Sequence, residues 1–453
     1  MTVQKVLISK CDRCGDQVFF YNTFLKSLLN TDRIIIYITN NHNSFFSCLV
    51  SSFAEFSYDT KISLAENINS FRKRVKKNRH IILYCPFNPQ TSNEKILSDD
   101  ACNLNWILFL REISVDVAIC GTINPTWVDR LNCSSVGSDI SYFGLQNEKN
   151  FQNFPSQFDK FQNNPNETVI NIANDIECPE QLFFNKVLSI LDLEKPQLNN
   201  PYQVDSGLIA FFVGSSSDQR KISLDLMYEI AVNFSQKLKL KVIFVYGPNE
   251  EALFCDKSKY KNVEHLIFRG KDFQKLIELL KQIKLAFTHE TFYYHLLNHF
   301  GIPHVMVAGG GHWKRFFYEN VISTIITNRL PCFNCDWNCV YDNSYCVTEI
   351  NKSSIIHALE ERFLSPVIGF RVYASNNIIE VLDYTKYYFR EGVSNNYIDH
   401  ENQKIIKLLS RIKEEKNLIS HMQSGLLKQN MNLWLQNNKS KRLVDLYSKL
   451  IKE

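Results

Sequence analysis

Short apolar runs alternate with segments of helical spacing along this chain, and that alternation limits the fold more than any other feature. In the first part of the chain the runs are "VQKVLIS" (3–9), "RIIIYIT" (33–39), "HIILYC" (80–85) and "VDVAICG" (115–121). Each has the length and composition of a strand that is buried on both faces of a sheet. The intervening residues 16–29 have helical spacing, so the pattern predicts a parallel α/β sheet with helices on its faces.

A second alternation follows a break at residues 193–207, where two prolines and two adjacent asparagines interrupt the pattern. Helical spacing recurs at 223–238 and 272–283. The second set of apolar runs comprises "LIAFFVG" (208–214), "KVIFVYG" (241–247), "VEHLIF" (263–268), "KLAFTH" (284–289) and "PHVMVAG" (303–309). Two open α/β domains in tandem are therefore expected. Because ligands of such sheets bind at the carboxyl ends of the strands, the cleft between the domains is the expected site.

The chain of 453 residues is too long for one ordinary core and suits two domains with an extension. We place the domains at residues 1–195 and 205–370, and a helical extension at 371–453. Within the extension, residues 401–422 carry apolar side chains along one helical stripe. Residues 135–168 are rich in Asn, Gln, Ser and Phe, which predicts a loop with short helices.

Composition narrows the class of protein. An apolar fraction of 45% and a charged fraction of 22% are globular values, and a net charge of +4 gives no sign of a nucleic-acid partner. No apolar run approaches the roughly 18 residues of a membrane span, and the first residues do not resemble a signal peptide. We therefore expect a cytoplasmic protein. The basic run at 71–80 is interpreted first as a solvated helix end, and otherwise as a surface for an anionic acceptor or for peripheral association with anionic lipid.

Four of the thirteen cysteines lie in "PCFNCDWNCVYDNSYC" (331–346), with the spacing C-x2-C-x3-C-x6-C. Such a set can form disulfides, a redox pair or a metal site, or it can occur by chance. Cytoplasmic thiols stay reduced, which weakens the disulfide explanation. Four thiolates at this spacing suit tetrahedral zinc or iron, so we favour one structural metal ion held by Cys332, Cys335, Cys339 and Cys346.

The first strand-to-helix junction, "LISKCDRCGDQVFF", places Asp16 at the start of a helix. The helix dipole stabilises a carboxylate there, which serves either as a simple cap or as a catalytic base that faces the cleft. Cys11 and Cys14 form a C-x2-C pair in the same loop. A lone pair of this kind is weak evidence for a second metal or redox site.

A second junction, "GSSSDQRKIS" (214–223), has the chemistry of a pyrophosphate site. It brings serine hydroxyls, backbone N–H groups and the cations Arg220 and Lys221 to the start of a helix. A polar loop that ends in a serine cap is the simpler alternative.

A third junction, "THETFYYH" (288–295), offers groups that suit a sugar phosphate. Glu290 could accept hydrogen bonds from ribose hydroxyls, and His295 could approach a phosphate, with Thr291 between them. Each is more often a cap or a satisfied surface group. The following "AGGGHW" either lets the backbone approach a ligand or simply turns.

In this order and spacing the motifs resemble the heptosyltransferases of lipopolysaccharide synthesis, glycosyltransferase family nine. The matching segments are "CGDQVFFYNTFLKSL", "GSSSDQRKIS", "VYGPNEE" and "THETFYYHLLNHFGIPHVMVAGG", within residues 1–350. The resemblance implies the GT-B fold, in which two Rossmann-like domains face each other. It also implies an inverting transfer of a sugar from a nucleotide-sugar donor without a catalytic metal. The acceptor could be a glycan, a lipid-linked glycan or a protein, and the enzyme could be a homo-oligomer.

The resemblance further implies roles for single residues. Asp16 matches the general base, and Glu250 or Glu251 matches a glutamate that contacts the donor's ribose or base. The other donor-binding positions match Ser215, Arg220 with the adjacent Lys221, Glu290, Thr291 and His295.

This chain departs from the family pattern at two positions of the third junction. Glu290 replaces an aspartate, and Phe292 replaces a glycine at which phosphate normally meets backbone, so its side chain is expected to crowd a phosphate. The cysteine cluster resembles that of the iron-containing heptosyltransferases of autotransporter adhesins, which adds iron to zinc as a candidate. Rival interpretations are a GT-B epimerase, a transferase that uses a uridine or guanosine nucleotide, and a non-catalytic, metal-bound assembly protein with a decayed glycosyltransferase fold.

Overall fold

Two largely parallel sheets, one from each half of the chain, form the frame of the protein. The computed structural model describes residues 4–11, 14–40, 49, 52–86, 100–122, 127–145, 167–171, 179–197, 207–215, 217–247, 250, 263–268, 272–311, 315–318, 322–327, 337, 339, 344–364, 369–374 and 382–383.

The first sheet is parallel throughout its described strands. They are β1 (Lys5–Ser9), β2 (Ile34–Thr39), β3 (Ala54–Ser57), β4 (His80–Tyr84), β5 (Ser114–Cys120), β6 (Gly137–Leu145) and β7 (Glu167–Asn171). Their order across the sheet is β3-β4-β2-β1-β5-β6-β7. The central strands carry unbroken runs of buried side chains, such as Val6, Leu7 and Ile8, because helices cover both faces.

The helices of the first half begin with one continuous segment that contains a π-helical turn. The segment runs as α1 (Cys14–Phe20), the π turn (Tyr21–Leu25) and α2 (Lys26–Leu29). The helices that follow are α3 (Leu64–Lys77), α4 (Asp100–Arg111), α5 (Trp127–Ser135) and α6 (Pro179–Ile190). A capping box fixes the start of α3, where Ser63 and Glu66 each accept a backbone N–H from the other.

The second sheet is larger. Its described strands are β8 (Leu208–Phe212), β9 (Lys241–Tyr246), β10 (Glu264–Ile267), β11 (Ile283–His289), β12 (His304–Val307), β13 (Ile322–Thr327), β14 (Gly369–Ala374) and β15 (Leu382–Asp383). They follow the order β10-β9-β8-β11-β12-β13-β14-β15, and β15 is antiparallel to its neighbour. The accompanying helices are α7 (Leu224–Leu238), α8 (Phe273–Leu280), α9 (Phe292–His299), α10 (Tyr345–Thr348) and α11 (Lys352–Leu364).

The predicted two-sheet architecture is confirmed, and each apolar run named above forms a strand. The prediction of a loop with short helices at 135–168 is wrong, because β6 and the start of β7 lie there. The second sheet also reaches Asp383, beyond the predicted domain boundary at residue 370. Residues 384–453, with most of the predicted helical extension, lie outside the described residues.

The two halves meet where α1 packs against α9. One apolar core draws on both halves, with Phe19 and Phe24 from the first and Tyr294 and Leu297 from the second. At the same contact the Nδ2 atom of Asn22, in the π turn, donates to His295 O and to Tyr318 Oη, each at 3.3 Å. Its Oδ1 atom lies 2.9 Å from His299 Nδ1. The carboxyl end of β1 is thereby fixed beside the carboxyl end of β11.

Candidate active site at the domain contact

Asp16 lies in the first turn of α1, directly after the loop from β1, with its side chain partly exposed. The neighbouring Gly15 touches the second half of the chain. A Cβ atom at Gly15 would lie 3.3 Å from His295 Cδ2 and 3.4 Å from Phe292 Cα. Burial raises the pKa of Tyr318, and the Asp16 charge adds to that rise, which places the carboxylate near the domain contact. The turn of α1 that carries Asp16 therefore lies against the start of α9.

A buried polar network holds the loop that carries Asp16. The Asp129 carboxylate accepts hydrogen bonds from Ser9 Oγ at 2.8 Å and from Cys11 N at 2.7 Å. Asn132 donates to Ser9 Oγ at 3.0 Å and accepts from Trp106 Nε1 at 2.9 Å. These side chains are almost fully excluded from solvent, so the network fixes the path of the chain out of β1.

The phosphate-binding candidates occupy the loop after β8. Ser217 caps a short 3₁₀ turn, Asp218–Arg220, and the Lys221 ammonium pairs with the Asp218 carboxylate at 2.7 Å. The Arg220 guanidinium instead lies over the indole ring of Trp337, 4.7 Å from the ring centre. Of the two predicted cations, Lys221 therefore forms an ion pair and Arg220 forms a cation–π contact.

Glu250 ties two strand-end loops together. Its carboxylate accepts from Ser215 N at 3.3 Å and from Gly247 N at 3.1 Å. A Cβ atom at Gly214 or Gly247 would lie 2.9 or 2.7 Å from Glu250 Oε2, so both glycines make room for the carboxylate. Its contact with a donor ribose remains a prediction, and the alternative Glu251 lies outside the described residues.

Glu290 and Thr291 follow β11 with buried and incompletely satisfied polar groups. Burial raises the pKa of Glu290 to about 8, against the opposing charges of Arg220 and Arg315. Within the described part of the chain, Glu290 Oε2, Thr291 Oγ1 and Arg220 Nε are buried and have no hydrogen-bond partner. Each such atom costs about 1–3 kcal/mol unless a ligand or water satisfies it. These atoms suit a polar ligand at the carboxyl end of the second sheet.

His295 projects toward the domain contact. Its Nδ1 atom lies 2.9 Å from Tyr318 Oη, its ring packs edge-on against Phe19, and burial lowers its pKa to about 3. The ring is therefore neutral at physiological pH, and any contact with a phosphate would lack a cationic charge. The Phe292 ring packs against Phe273 and Tyr293.

Three further residues of this region were not predicted from the sequence. His289 Nε2 accepts from Ile222 N at 3.2 Å, which joins β11 to the loop that carries Arg220. Burial lowers the pKa of His289 to about 3, and the Lys221 charge adds to that effect. Arg315 forms an ion pair with Glu180 of α6 and so links the two halves. Trp337, within the cysteine-rich segment, lies beneath Arg220. Their partners are distant in sequence, so local spacing carried no signal for them.

The structure describes part of the cysteine cluster. Cys346 is buried in α10 and its sulfur accepts from Gly310 N at 3.4 Å, while Cys339 is partly exposed. Cys332 and Cys335 lie outside the described residues. In the described part, no group of three or more metal-ligating side chains is found. Burial raises the pKa of the Cys11 thiol well above its usual value. The side chain of Cys14 lies outside the described part of the structure, so the Cys11–Cys14 hypothesis stays a prediction.

One cavity of about 530 Å³ lies at the opposite edge of the first sheet, among Lys5, Ile34 and Ser114 at the amino ends of their strands. It is separate from the strand ends that carry Asp16. Among the helices that the structure describes, none is long and apolar enough to span a membrane.

Comparison with solved structures decides the architecture. The glycosyltransferase family 9 protein from Veillonella parvula DSM 2008 aligns with a TM-score of 0.50 at 12% identity, over 80% of this chain and 97% of that one. The E. coli heptosyltransferase WaaC with ADP-2-deoxy-2-fluoro heptose aligns with a TM-score of 0.50 at 13% identity, over 79% of this chain and 100% of that one.

The chain has the GT-B fold. The predicted resemblance to family-nine heptosyltransferases is thereby confirmed at the level of structure. No family model and no curated protein matches the sequence. A weaker alignment, with a TM-score of 0.42 at 10% identity, is to the iron-containing dodecameric glycosyltransferase TibC from enterotoxigenic E. coli, and it carries no weight for the cysteines.

Proposed function

We propose that this protein is an inverting glycosyltransferase that takes a sugar from a nucleotide-sugar donor. One observation carries the proposal. At the carboxyl end of the second sheet, Glu290, Thr291 and Arg220 keep buried polar atoms without a hydrogen-bond partner in the described structure, and the helix that carries Asp16 packs against the start of α9 beside them. In the GT-B fold the carboxyl ends of the two sheets line the cleft between the domains, where an acceptor and a donor would meet.

Asp16 is the proposed general base. It would remove the proton from an acceptor hydroxyl as that hydroxyl attacks the anomeric carbon, opposite the leaving diphosphate. Asp16 is partly exposed and the loop before it is held by the buried Asp129 network, so the carboxylate combines access with a fixed position. A glycan, a lipid-linked glycan and a protein all supply such a hydroxyl.

The loop after β8 is the proposed site of the donor diphosphate. Arg220, Lys221, Ser215 and the backbone N–H groups of that loop would neutralise the charge that develops on the leaving group. Glu290, largely protonated at neutral pH because its pKa is raised to about 8, would donate its proton to a donor oxygen rather than repel it. A carboxyl group of this kind suits the neighbourhood of an anion.

Nucleotide binding tests the proposal. Thermal stability would be measured with adenosine, uridine and guanosine diphosphates and their sugars, with adenosine diphosphate sugars first because the E. coli structure carries one. A ligand at about 100 times its Kd should stabilise the native state by about 2.7 kcal/mol. For a nucleotide sugar that binds, release of the free nucleotide would then show that the sugar is transferred to water or to an acceptor. If no nucleoside diphosphate or nucleotide sugar stabilises the protein, the glycosyltransferase proposal fails and the non-catalytic alternative takes its place.

The cysteine-rich segment is the proposed site of one structural metal ion, zinc or iron. Cys332, Cys335, Cys339 and Cys346 supply the thiolate set that such a closed site requires. Cys346 fits this role, because its buried sulfur accepts a backbone N–H, as ligating thiolates do. The ion would supply only cohesion to the segment.

Elemental analysis of the purified chain, with thiol titration under native conditions, tests the metal site. We expect about one metal ion per chain and four thiols that react only after chelation. Less than about a tenth of an ion per chain, with all four thiols reactive in the native protein, would contradict the proposal.

A further inference from the structure

Trp337 lies between two features of the candidate donor site. One face of its ring meets the backbone after β12. A Cβ atom at Gly309 would lie 2.9 Å from Trp337 Cζ3, and one at Gly311 would lie 2.5 Å from Trp337 Cγ. On the ring, the Arg220 guanidinium sits 4.7 Å from the centre. The indole therefore joins the cysteine-rich segment, the glycine run and the loop after β8.

Space for the indole explains these two glycines better than backbone conformation does. Of the described glycines, Gly301 is the one with a positive φ, so the conformations of Gly309 and Gly311 are open to other residues. What excludes a side chain is the indole ring, which occupies the positions of both Cβ atoms. The "GGG" run thus makes room for an aromatic ring. This role differs from the two considered from the sequence, which were close approach of the backbone to a ligand and a simple turn.

Trp337 also adopts a backbone conformation that a bulky residue avoids. Its φ is 59°, in the left-handed region. Such a conformation persists where surrounding contacts over-determine it. The surrounding contacts of the ring are the glycine backbone and the apolar cluster that contains Val347. The ring is held in place, and it is Arg220 that rests on it.

We infer that Trp337 is a positioning residue for the donor diphosphate. Its ring holds the Arg220 guanidinium by a cation–π contact, with the polar edge of the guanidinium left to meet an anion. The inference rests on the proposed function, in which Arg220 is a ligand of the diphosphate. It gives the cysteine-rich segment one specific link to donor binding, through the contact of the Trp337 ring with the Arg220 guanidinium.

Binding of ADP, measured by calorimetry on the full chain, tests the inference through a double-mutant cycle. The variants are Trp337→Ala, Arg220→Ala and the double variant, with Trp337→Phe to retain an aromatic face. We expect Trp337→Ala to weaken binding about three- to tenfold, from the size of a cation–π contact, and Trp337→Phe to restore most of it. In the Arg220→Ala background the same Trp337→Ala change should have little further effect, because the two act as one unit.

Gly311→Ala supplies a second route that leaves Trp337 unchanged. It should displace the ring and weaken ADP binding to the same extent, whereas Gly207→Ala, at the start of β8 with an ordinary 3.4 Å neighbour, should not. Equal effects of Trp337→Ala with and without Arg220 would overturn the inference and leave the proposed function intact. Absence of binding by the unmodified protein to ADP and to the other nucleoside diphosphates would overturn both.

Discussion

The ends of β1 and β11 differ in how their buried polar groups are satisfied. At the end of β1 the buried Asp129 and Asn132 pair with Ser9, Cys11 and Trp106. Past the end of β11, by contrast, Glu290 and its neighbours keep buried polar atoms without hydrogen-bond partners in the described structure. The network at the end of β1 pairs its own members and holds the start of the loop before Asp16, although the same edge of the first sheet keeps one unpartnered buried oxygen at Asn40, after β2. The atoms after β11 cluster around one place, which suits the binding of a polar ligand.

The largest effect should come from the residue that follows the loop at the end of β1. Asp16→Asn keeps the shape of the side chain and removes the proposed base, so the transfer rate should fall by about 10²–10⁴-fold. ADP affinity should stay within about twofold, because the proposed donor-binding groups belong to the other half. Rates with nucleotide sugar and calorimetry with ADP measure the two quantities. Asp32→Asn, an exposed change far from the site, is the control. Normal turnover by Asp16→Asn would remove this residue from the role of base.

A change within the Asp129 network at the end of β1 should mainly lower the free energy of unfolding. Asp129→Ala leaves Ser9 Oγ and Cys11 N without their acceptor in a buried position, at a cost of about 2–4 kcal/mol. Asp129→Asn retains one acceptor oxygen and should lose less than half as much. Urea unfolding measures both free energies. If the alanine variant unfolds at the urea concentration of the unmodified protein, the network does not hold the loop.

Arg220→Ala changes the candidate donor site near the end of β11 and should mainly lower the affinity for ADP. Loss of a charged hydrogen-bond donor to a diphosphate should raise the Kd for ADP about 10–100-fold, with the free energy of unfolding nearly unchanged. Arg79→Ala removes an exposed, ion-paired arginine of the first half and is the control. An unaltered Kd would transfer the role to Lys221.

The smallest effect concerns the pH dependence of stability. The pKa of Glu290 is raised from 4.5 to about 8, so its stability contribution is fully present below pH 4.5 and is lost as the pH rises through 8. Glu290→Gln cannot ionise, and its Tm should match the unmodified protein near pH 4.5 and exceed it by a few degrees, about 2–4 °C, at pH 9. The exposed Glu264→Gln should give no such trend. A constant difference across this range would place the Glu290 carboxylate in contact with water.

The sequence predicted most of the strands that are buried on both faces, because such strands form unbroken apolar runs. It failed at β3, β6 and β7, at or next to the edges of the first sheet, where polar residues break the runs. A weak alternation, with Ile140 and Tyr142 two residues apart, was the available signal. The fully buried β13, "ISTIIT", was not predicted either, because Ser323, Thr324 and Thr327 interrupt its apolar run.

The candidate site was predicted in part. Strand-to-helix junctions gave Asp16, Arg220 and Glu290, since the carboxyl ends of parallel strands share one edge. They gave no indication that the Glu250 carboxylate would accept hydrogen bonds from two backbone N–H groups, or that the Arg220 guanidinium would stack on the Trp337 ring. Those contacts depend on residues from other loops, and their geometry follows from tertiary packing rather than from local pattern.

The π turn in the first helical segment has a mechanical consequence. It presents Asn22 to His295, Tyr318 and His299 together, so a single amide side chain bonds to three residues of the second half. The same contact also holds the apolar core that both halves share. Apolar packing tolerates small sliding movements, whereas directional hydrogen bonds do not, so the Asn22 bonds set the register of α1 against α9.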